Sequence, residues 1–119
     1  MVREIIVHAP MKRIMLMDGG KIECTYFTFS EFQIIGFLID NMIEIVDKNT
    51  LLSVGWPDRV VQDDSLPVII FHLRKKIKKI GFEIKCFKGR GYALFPLNEN
   101  LKIVKRNTGK KQIVLSDDI

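Results

Sequence analysis

A basic amphipathic helix, followed directly by a hairpin with glycines at its tip, is the feature that most constrains the fold of this chain. Either Asp63 or Asp64 is a suitable N-cap for this helix, which is predicted to run to about Ile80. Pro67 falls in the first turn, where a missing N–H costs little, and Gly81 suits the position after the end. Apolar side chains at i, i+4, i+7 and i+11 spacing are expected to face the core. They are Leu66, Ile70, Leu73 and Ile77.

The opposite face of this helix mixes apolar and basic side chains, which is unusual for a face that meets only water. It carries Asp64, Val68, Phe71, Lys75 and Lys79, with His72 and Lys78 at its edges and Arg74 and Lys76 on the flanks. In a DNA major groove, apolar side chains contact thymine methyls while Lys and Arg reach phosphates or guanine edges. We prefer this interpretation for Val68 and prefer packing on a neighbouring element for Ile69. Both stay open for Phe71, and His72 is a candidate for a phosphate or base contact.

The hairpin is predicted from strands at residues 82–87 and 92–95, joined by Lys88-Gly89-Arg90-Gly91. The glycines permit a tight turn with positive φ, and the tip presents two cations that suit the negative potential of a minor groove. Residues 74–90 hold eight basic side chains and one acidic one, whereas the whole chain carries a net charge of only +5. This concentration of charge suits phosphate binding, although taken alone it is equally typical of a solvated helix face.

Ahead of the basic helix, the pattern predicts a small sheet and two further helices. Strands are expected at residues 4–8, 13–17 and 21–27, and the alternation from Ile22 indicates one buried face. Ser30 is the predicted N-cap of a first helix that runs to about Asn41, and Gly36 indicates close packing there. Asp47 is the predicted N-cap of a second helix that stops near Trp56. The fold class is therefore α+β.

After Pro96 the chain is less clearly patterned. A short strand is expected at residues 102–104, a turn at 107–109 and a mobile tail or linker at 116–119.

Composition excludes several classes of protein. The 119 residues, 47% hydrophobic and 28% charged, suit one domain with a core. No apolar run approaches the length of a membrane span, and the first residues of the sequence show no signal-peptide pattern, so a cytoplasmic location is expected. Cys24 and Cys86 lie outside any metal-binding spacing and are expected to be ordinary strand residues, with a disulfide or a redox-sensing thiol as the alternative. No set of catalytic groups is found, so neither an enzyme nor a cofactor is expected.

Five blocks of the sequence, read in order, resemble the OmpR/PhoB-type winged helix-turn-helix effector domain. They are Phe27-Thr28-Phe29-Ser30-Glu31-Phe32; Val46-Asp47 with Leu51-Leu52 and Trp56; Asp63-Asp64-Ser65-Leu66; Leu73-Arg74-Lys75-Lys76-Ile77; and Ile84-Lys85-Cys86-Phe87-Lys88-Gly89-Arg90-Gly91-Tyr92-Ala93-Leu94. Each block alone is weak, but their order is specific, and the match covers roughly residues 4–96. The segment from Trp56 to Leu66 is most similar to the ToxR/CadC-like branch, rather than to the response regulators of phosphorelay signalling.

The resemblance implies an N-terminal antiparallel sheet, three helices and a C-terminal β-hairpin wing. Residues 1–96 are then the DNA-binding domain, and residues 97–119 are a C-terminal extension or linker. The third helix would enter the major groove of double-stranded DNA, and the wing would touch the minor groove or the backbone. By position, the DNA-binding side chains would be Ser65, Val68, Phe71, His72, Arg74, Lys75, Lys79, Lys88 and Arg90. The loop with Trp56, Asp58 and Arg59 would be the region that contacts RNA polymerase.

Three departures from the family pattern affect what is expected of DNA recognition. Phe71 and His72 stand where relatives often have Arg or polar residues, and Ala93 replaces an Arg after the wing Tyr. Base discrimination should then be weaker and affinity more dependent on phosphates, on dimerisation or on a partner regulator. A winged-helix module that binds protein through the apolar face of the third helix is the alternative function.

The resemblance leaves two arrangements of the native protein open. One is a stand-alone regulator. The other is the cytoplasmic part of a membrane-anchored regulator, in which a transmembrane helix would follow Ile119.

Overall fold

The computed structural model describes residues 2–97, 102–107 and 111–116, and it describes side chains for residues 4–97. In chain order the elements are β1 (Val2–His8), β2 (Arg13–Asp18), β3 (Lys21–Tyr26), α1 (Phe29–Asp40), α2 (Lys48–Gly55), α3 (Ser65–Lys78), β4 (Phe82–Phe87), β5 (Gly91–Pro96), β6 (Lys102–Asn107) and β7 (Lys111–Ser116). Backbone contacts divide the chain into one unit of residues 1–26 with 98–119 and a second unit of residues 27–97.

The first unit is a five-stranded sheet in the order β3-β2-β1-β7-β6, with every neighbouring pair antiparallel. The three predicted N-terminal strands are confirmed. The strand predicted at residues 102–104 extends to Asn107, and β7 pairs with both β6 and β1. Thr108 and Gly109 of the predicted turn, and the last three residues of the predicted tail, lie outside the described residues. The domain boundary predicted at residue 96 stays a prediction.

The alternation from Ile22 predicted one buried face on β3, but the face that carries Ile22 is exposed. Ile22 is 64% exposed, and Cys24 and Tyr26 are exposed with it, whereas Thr25 is buried. The register explains the error, because Ile22 lies opposite Met17 and therefore on the face away from Ile14 and Leu16, which form the buried side of β2. Period-two alternation identifies a strand but does not say which side the rest of the molecule covers.

In the second unit, α1 begins two residues earlier than predicted, because Thr28 rather than Ser30 is its N-cap. The Thr28 Oγ1 atom accepts a hydrogen bond from the Glu31 N–H at 3.3 Å, and the Thr28 N–H donates to Glu31 Oε1 at 2.8 Å. This reciprocal pair is a capping box. The close packing expected at Gly36 is wrong, since no atom lies within 4 Å of the position that a Cβ would take there.

The remaining helices follow the predicted order and bury the predicted face of α3. Asp47 occupies the N-cap position of α2, and the α3 side chains of the predicted core face are all buried, namely Leu66, Ile70, Leu73 and Ile77. Asp64 occupies the N-cap position of α3 without a side-chain cap bond, while the alternative Asp63 instead bonds Lys48 at 3.0 Å. The helix ends at Lys78, two residues early, and Gly81 follows with φ 92° as expected.

A short extended segment that precedes α2 pairs with β5, the second strand of the β4–β5 hairpin. Val46 exchanges two backbone hydrogen bonds with Tyr92, at 2.8 and 3.0 Å, and the Ile43 N–H donates to the Leu94 carbonyl at 2.9 Å. Gly91, with φ 143°, allows this contact, because a Cβ there would lie 2.0 Å from the Val46 carbonyl oxygen. Backbone hydrogen bonds therefore connect the wing to the segment just before α2. The expected architecture of N-terminal sheet, three helices and hairpin wing is confirmed.

Candidate nucleic-acid interface

The outward face of α3 carries two large apolar side chains that nothing in its own unit buries. Val68 is 57% exposed and Phe71 is 55% exposed, whereas Ile69 is half-buried. His72, Lys75 and Lys79 are exposed on the same side of the helix, and Ser65 is half-buried at its first position. The structure thus brings together on one surface all the α3 residues predicted for the site except Arg74, which lies on its flank.

Some of the basic side chains of α3 already form contacts with other residues of the domain. Arg74 donates through Nε to the Ile84 carbonyl at 3.1 Å, which fastens α3 to the first strand of the wing. The Nζ atom of Lys75 lies 4.3 Å from the centroid of the Phe71 ring, so the two side chains form a cation–π contact on the surface. Lys78 and Lys79 are exposed at the end of the helix. The cations of α3 therefore differ in how freely they can meet a ligand.

Lys76 serves the packing of α3 against α1. Its Nζ lies 2.7 Å from Oε1 of Glu31, a side chain only 5% exposed overall, and 5.6 Å from the Phe27 ring centroid. Burial by itself raises the pKa of Glu31, but the bond from Lys76 and the bonds from Thr28 outweigh it, so the pKa lies below the usual 4.5. The sequence does not indicate this ion pair, because no local pattern links residues 45 positions apart.

The tip of the wing presents the two predicted cations. Lys88 and Arg90 are exposed on either side of Gly89, which has φ 77°, and the turn is closed by the Arg90 N–H donating to the Phe87 carbonyl at 2.8 Å. Lys85, further back on β4, lies 4.9 Å over the Phe95 ring. The positive charge of the wing is therefore concentrated at its tip.

Across the wing strands, Cys86 faces Tyr92, and burial together with this thiol raises the pKa of Tyr92 above 10.0. The phenol therefore stays protonated at neutral pH and can serve as a hydrogen-bond donor.

Charge makes the outward face of α3 and the wing tip suitable for a polyanion. Residues 65–82 contain no acidic side chain, the wing tip carries Lys88 and Arg90, and α3 is bonded to the first strand of the wing through Arg74. A surface of this kind attracts phosphate groups over several ångströms and orients them.

Residues 23–94 match the protein family described as transcriptional regulatory protein, C terminal. This chain belongs to that OmpR/PhoB-type family.

Among relatives of this regulatory family, protein PsaE of Yersinia pseudotuberculosis is 42% identical over 52 residues, which are 42% of this chain and 24% of PsaE. The response regulator protein GraR of Staphylococcus haemolyticus is 36% identical over 70 residues, which are 56% of this chain and 31% of GraR. The chain therefore spans about a quarter to a third of these relatives. Among solved structures, the DNA-binding domain of the response regulator AdeR superposes with a TM-score of 0.66 at 20% identity, over 76% of this chain and 93% of that one. This likeness confirms the fold, while the ToxR/CadC-like branch stays a prediction.

The loop between α2 and α3 is the other surface that the sequence singled out. Trp56 is half-buried, and Asp58 and Arg59 are exposed. They line a surface cavity of about 640 Å³ together with Val60, which is 99% exposed, and with residues of α2. The loop is thus accessible to a partner.

Cys24 and Cys86 are free and exposed. No group of three His, Cys, Asp or Glu side chains that suits a metal ion occurs among the described residues. No helix in the described part of the chain combines the length and apolar content needed to cross a membrane.

Proposed function

We propose that this domain binds double-stranded DNA and is the output part of a transcriptional regulator, with α3 in the major groove and the wing on the minor groove or backbone. The observation that carries the proposal is the pair of exposed cationic features on joined elements: the outward face of α3, which carries no acidic side chain after Asp64, and the tip of the wing, whose first strand is bonded to α3 through Arg74 and Ile84. A helix of this size fits a major groove. The AdeR domain, which shares this fold, was solved in complex with an intercistronic region.

Within this proposal, the predicted site residues divide into two roles. Ser65, Lys75, Lys79, Lys88 and Arg90 are proposed to contact phosphates, which give affinity without sequence information. Val68, Phe71 and His72 face the bases from the middle of α3. Arg74, already bonded to the wing, is proposed to act on the flank, where it sets the angle between helix and hairpin as well as reaching a phosphate.

Fluorescence anisotropy with a labelled duplex of random sequence tests DNA binding directly. Lys79→Glu and Arg90→Glu should each weaken binding by about tenfold or more at moderate ionic strength, because each replaces a phosphate contact by repulsion. Lys21→Glu makes the same change of charge on exposed β3, in the other unit, and is the matched control. Equal losses for all three variants would mean that only net charge matters, and no binding by the wild type would refute the proposal.

A second candidate function rests on the exposure of Val68 and Phe71. An apolar helix face of this kind also suits a protein partner. The two functions are separated by reversing the charge at Lys75, Lys88 and Arg90 and measuring reporter expression in cells. If regulation survives these changes, DNA is not the main ligand.

DNA binding is proposed to be assisted by further copies of this chain or by a partner regulator. The loop between α2 and α3 is proposed to contact RNA polymerase. Exposed Asp58 and Arg59 support a contact of this loop with a protein. Reversing either charge should lower transcription from a regulated promoter and leave the DNA dissociation constant unchanged. A parallel change in both quantities would contradict this role.

A further inference from the structure

We propose that α3 recognises DNA by the C5-methyl groups of thymine, through Val68 and Phe71, rather than by the hydrogen-bonding edges of guanine. The inference rests on the proposed function. Its observation is that the two side chains at the middle of the outward face are apolar and more than half exposed, whereas Arg74, which carries the one guanidinium of the helix, lies on the flank and donates through Nε to a wing carbonyl.

The positions around the helix axis place the apolar pair where bases would lie. At about 100° per residue, Val68 points almost directly away from the buried face, and Phe71 lies about 60° to one side of it. Arg74 lies about 120° from Val68 on that same side, toward the wing, where its Nε is held by the Ile84 carbonyl. The bidentate donor that most often reads guanine is therefore on the flank of the helix.

The Phe71 ring is held by its neighbours on the helix surface. Lys75 lies over it at 4.3 Å, and the His72 ring meets it edge-on with centroids 5.6 Å apart at 72°. Phe71 makes both contacts while 55% of the residue stays exposed. A ring presented in this way offers an apolar surface that a methyl group can cover, while the lysine beside it can reach a phosphate.

The charge around this pair selects a nucleic acid over an apolar protein partner. Lys75 and Lys79 flank Val68 on the same face, and Lys78 lies beside Phe71, with no acidic side chain between residues 65 and 82. An apolar protein surface would have to bury or neutralise these cations. A major groove instead supplies phosphates at its walls and thymine methyls on its floor, which matches both parts of the face.

The test begins with the wild-type domain and a random-sequence duplex library, from which bound duplexes are selected and sequenced. The enriched duplex is then synthesised with each thymine in turn replaced by deoxyuracil, which keeps every hydrogen-bonding group and removes only the methyl. We expect at least one position at which the replacement weakens binding about threefold to tenfold, the range for burial of one methyl group. Replacing cytosine by 5-methylcytosine at such a position of a C·G variant should restore part of the loss.

The same titrations with Phe71→Ala and Val68→Ala assign the contacts. Each variant should bind more weakly and lose the deoxyuracil penalty at its own position, while Val60→Ala, an exposed valine in the α2–α3 loop, should retain it. Circular dichroism checks that the variants are folded, as expected for changes at exposed positions.

Enrichment of sites without thymine, no enrichment at all, or tolerance of deoxyuracil everywhere would each overturn the inference while leaving DNA binding intact. Failure of the wild type to bind any duplex would instead overturn the proposed function.

Discussion

Gly91 is the position at which the wing depends most directly on the absence of a side chain, and Gly91→Ala tests how the wing is held. A Cβ at this position would lie 2.0 Å from the Val46 carbonyl oxygen and 2.9 Å from the Cα of Asp47, whereas ordinary contacts are 3.4–4 Å. Both neighbours are backbone atoms, so neither can rotate away. The wing strand or the segment before α2 must therefore move by more than 1 Å, which exceeds the range of about 0.5 Å over which N–H···O hydrogen-bond distances vary.

The expected loss of stability follows from these contacts. A φ of 143° is strained for alanine, which costs about 1 to 3 kcal/mol. Separating the strands also weakens the two hydrogen bonds between Val46 and Tyr92, each worth about 0.5 to 1.5 kcal/mol. We expect Gly91→Ala to lower the free energy of unfolding by about 3 to 5 kcal/mol, a large part of what a domain of this size has.

Urea unfolding followed by circular dichroism measures this loss, and Gly89→Ala is the matched control. Gly89 also has positive φ, at 77°, but no atom lies within 4 Å of its hypothetical Cβ, so its cost is the left-handed strain of about 1 to 2 kcal/mol alone. Gly91→Ala should therefore be clearly the more damaging of the two, at an unchanged urea slope. Equal losses for the two variants would refute the argument that the contact with Val46 matters.

Three further predictions follow from the same structure. Gly36→Ala should raise the free energy of unfolding by about 1 kcal/mol, because the α1 site is open and alanine is the better helix former; a loss in thermal or urea unfolding would mean that the site is crowded. Glu31→Gln should cost about 1 to 3 kcal/mol at neutral pH. Because the pKa of Glu31 is lowered in the folded state, the charged carboxylate contributes fully to the free energy of unfolding above about pH 4.5, and this contribution is lost as the pH falls through the folded-state pKa. Urea unfolding across pH should therefore show less acid sensitivity in the variant than in the wild type. The logarithm of the DNA association constant should fall with the logarithm of salt with a slope of about −4 to −5 per bound chain, as the five cations proposed to reach phosphates imply (Lys75, Lys79, Lys88, Arg90 and Arg74), and a slope of about −6 would show that Lys76 and Lys85 also reach phosphates.

The elements that could be predicted from the sequence are those with a strong local pattern. The core face of α3 follows from helical spacing alone, and the positive φ of Gly89 and Gly81 follows from where the strands and helix must end. The first helix was misplaced by two residues because Thr28 and Ser30 are both suitable caps, and only the partner Glu31 decides between them. Local pattern cannot say which face of β3 the sheet exposes, because that depends on the register with β2.

The candidate site could be predicted by position but not by role, and the basic segment of the sequence shows why. Counting charges treats all its cations as equivalent, yet Arg74 bonds a wing carbonyl, Lys76 pairs with Glu31 and Lys85 covers the Phe95 ring. All three contacts join residues of different helices or strands, so the periodicity within one helix cannot predict them. Because Arg74 and Lys76 link α3 to the wing and to α1, the charge that makes no contact within the fold lies mainly towards the end of the helix and at the hairpin tip. The middle of the face is then left to Val68 and Phe71, and any preference for one sequence over another must come largely from apolar contacts.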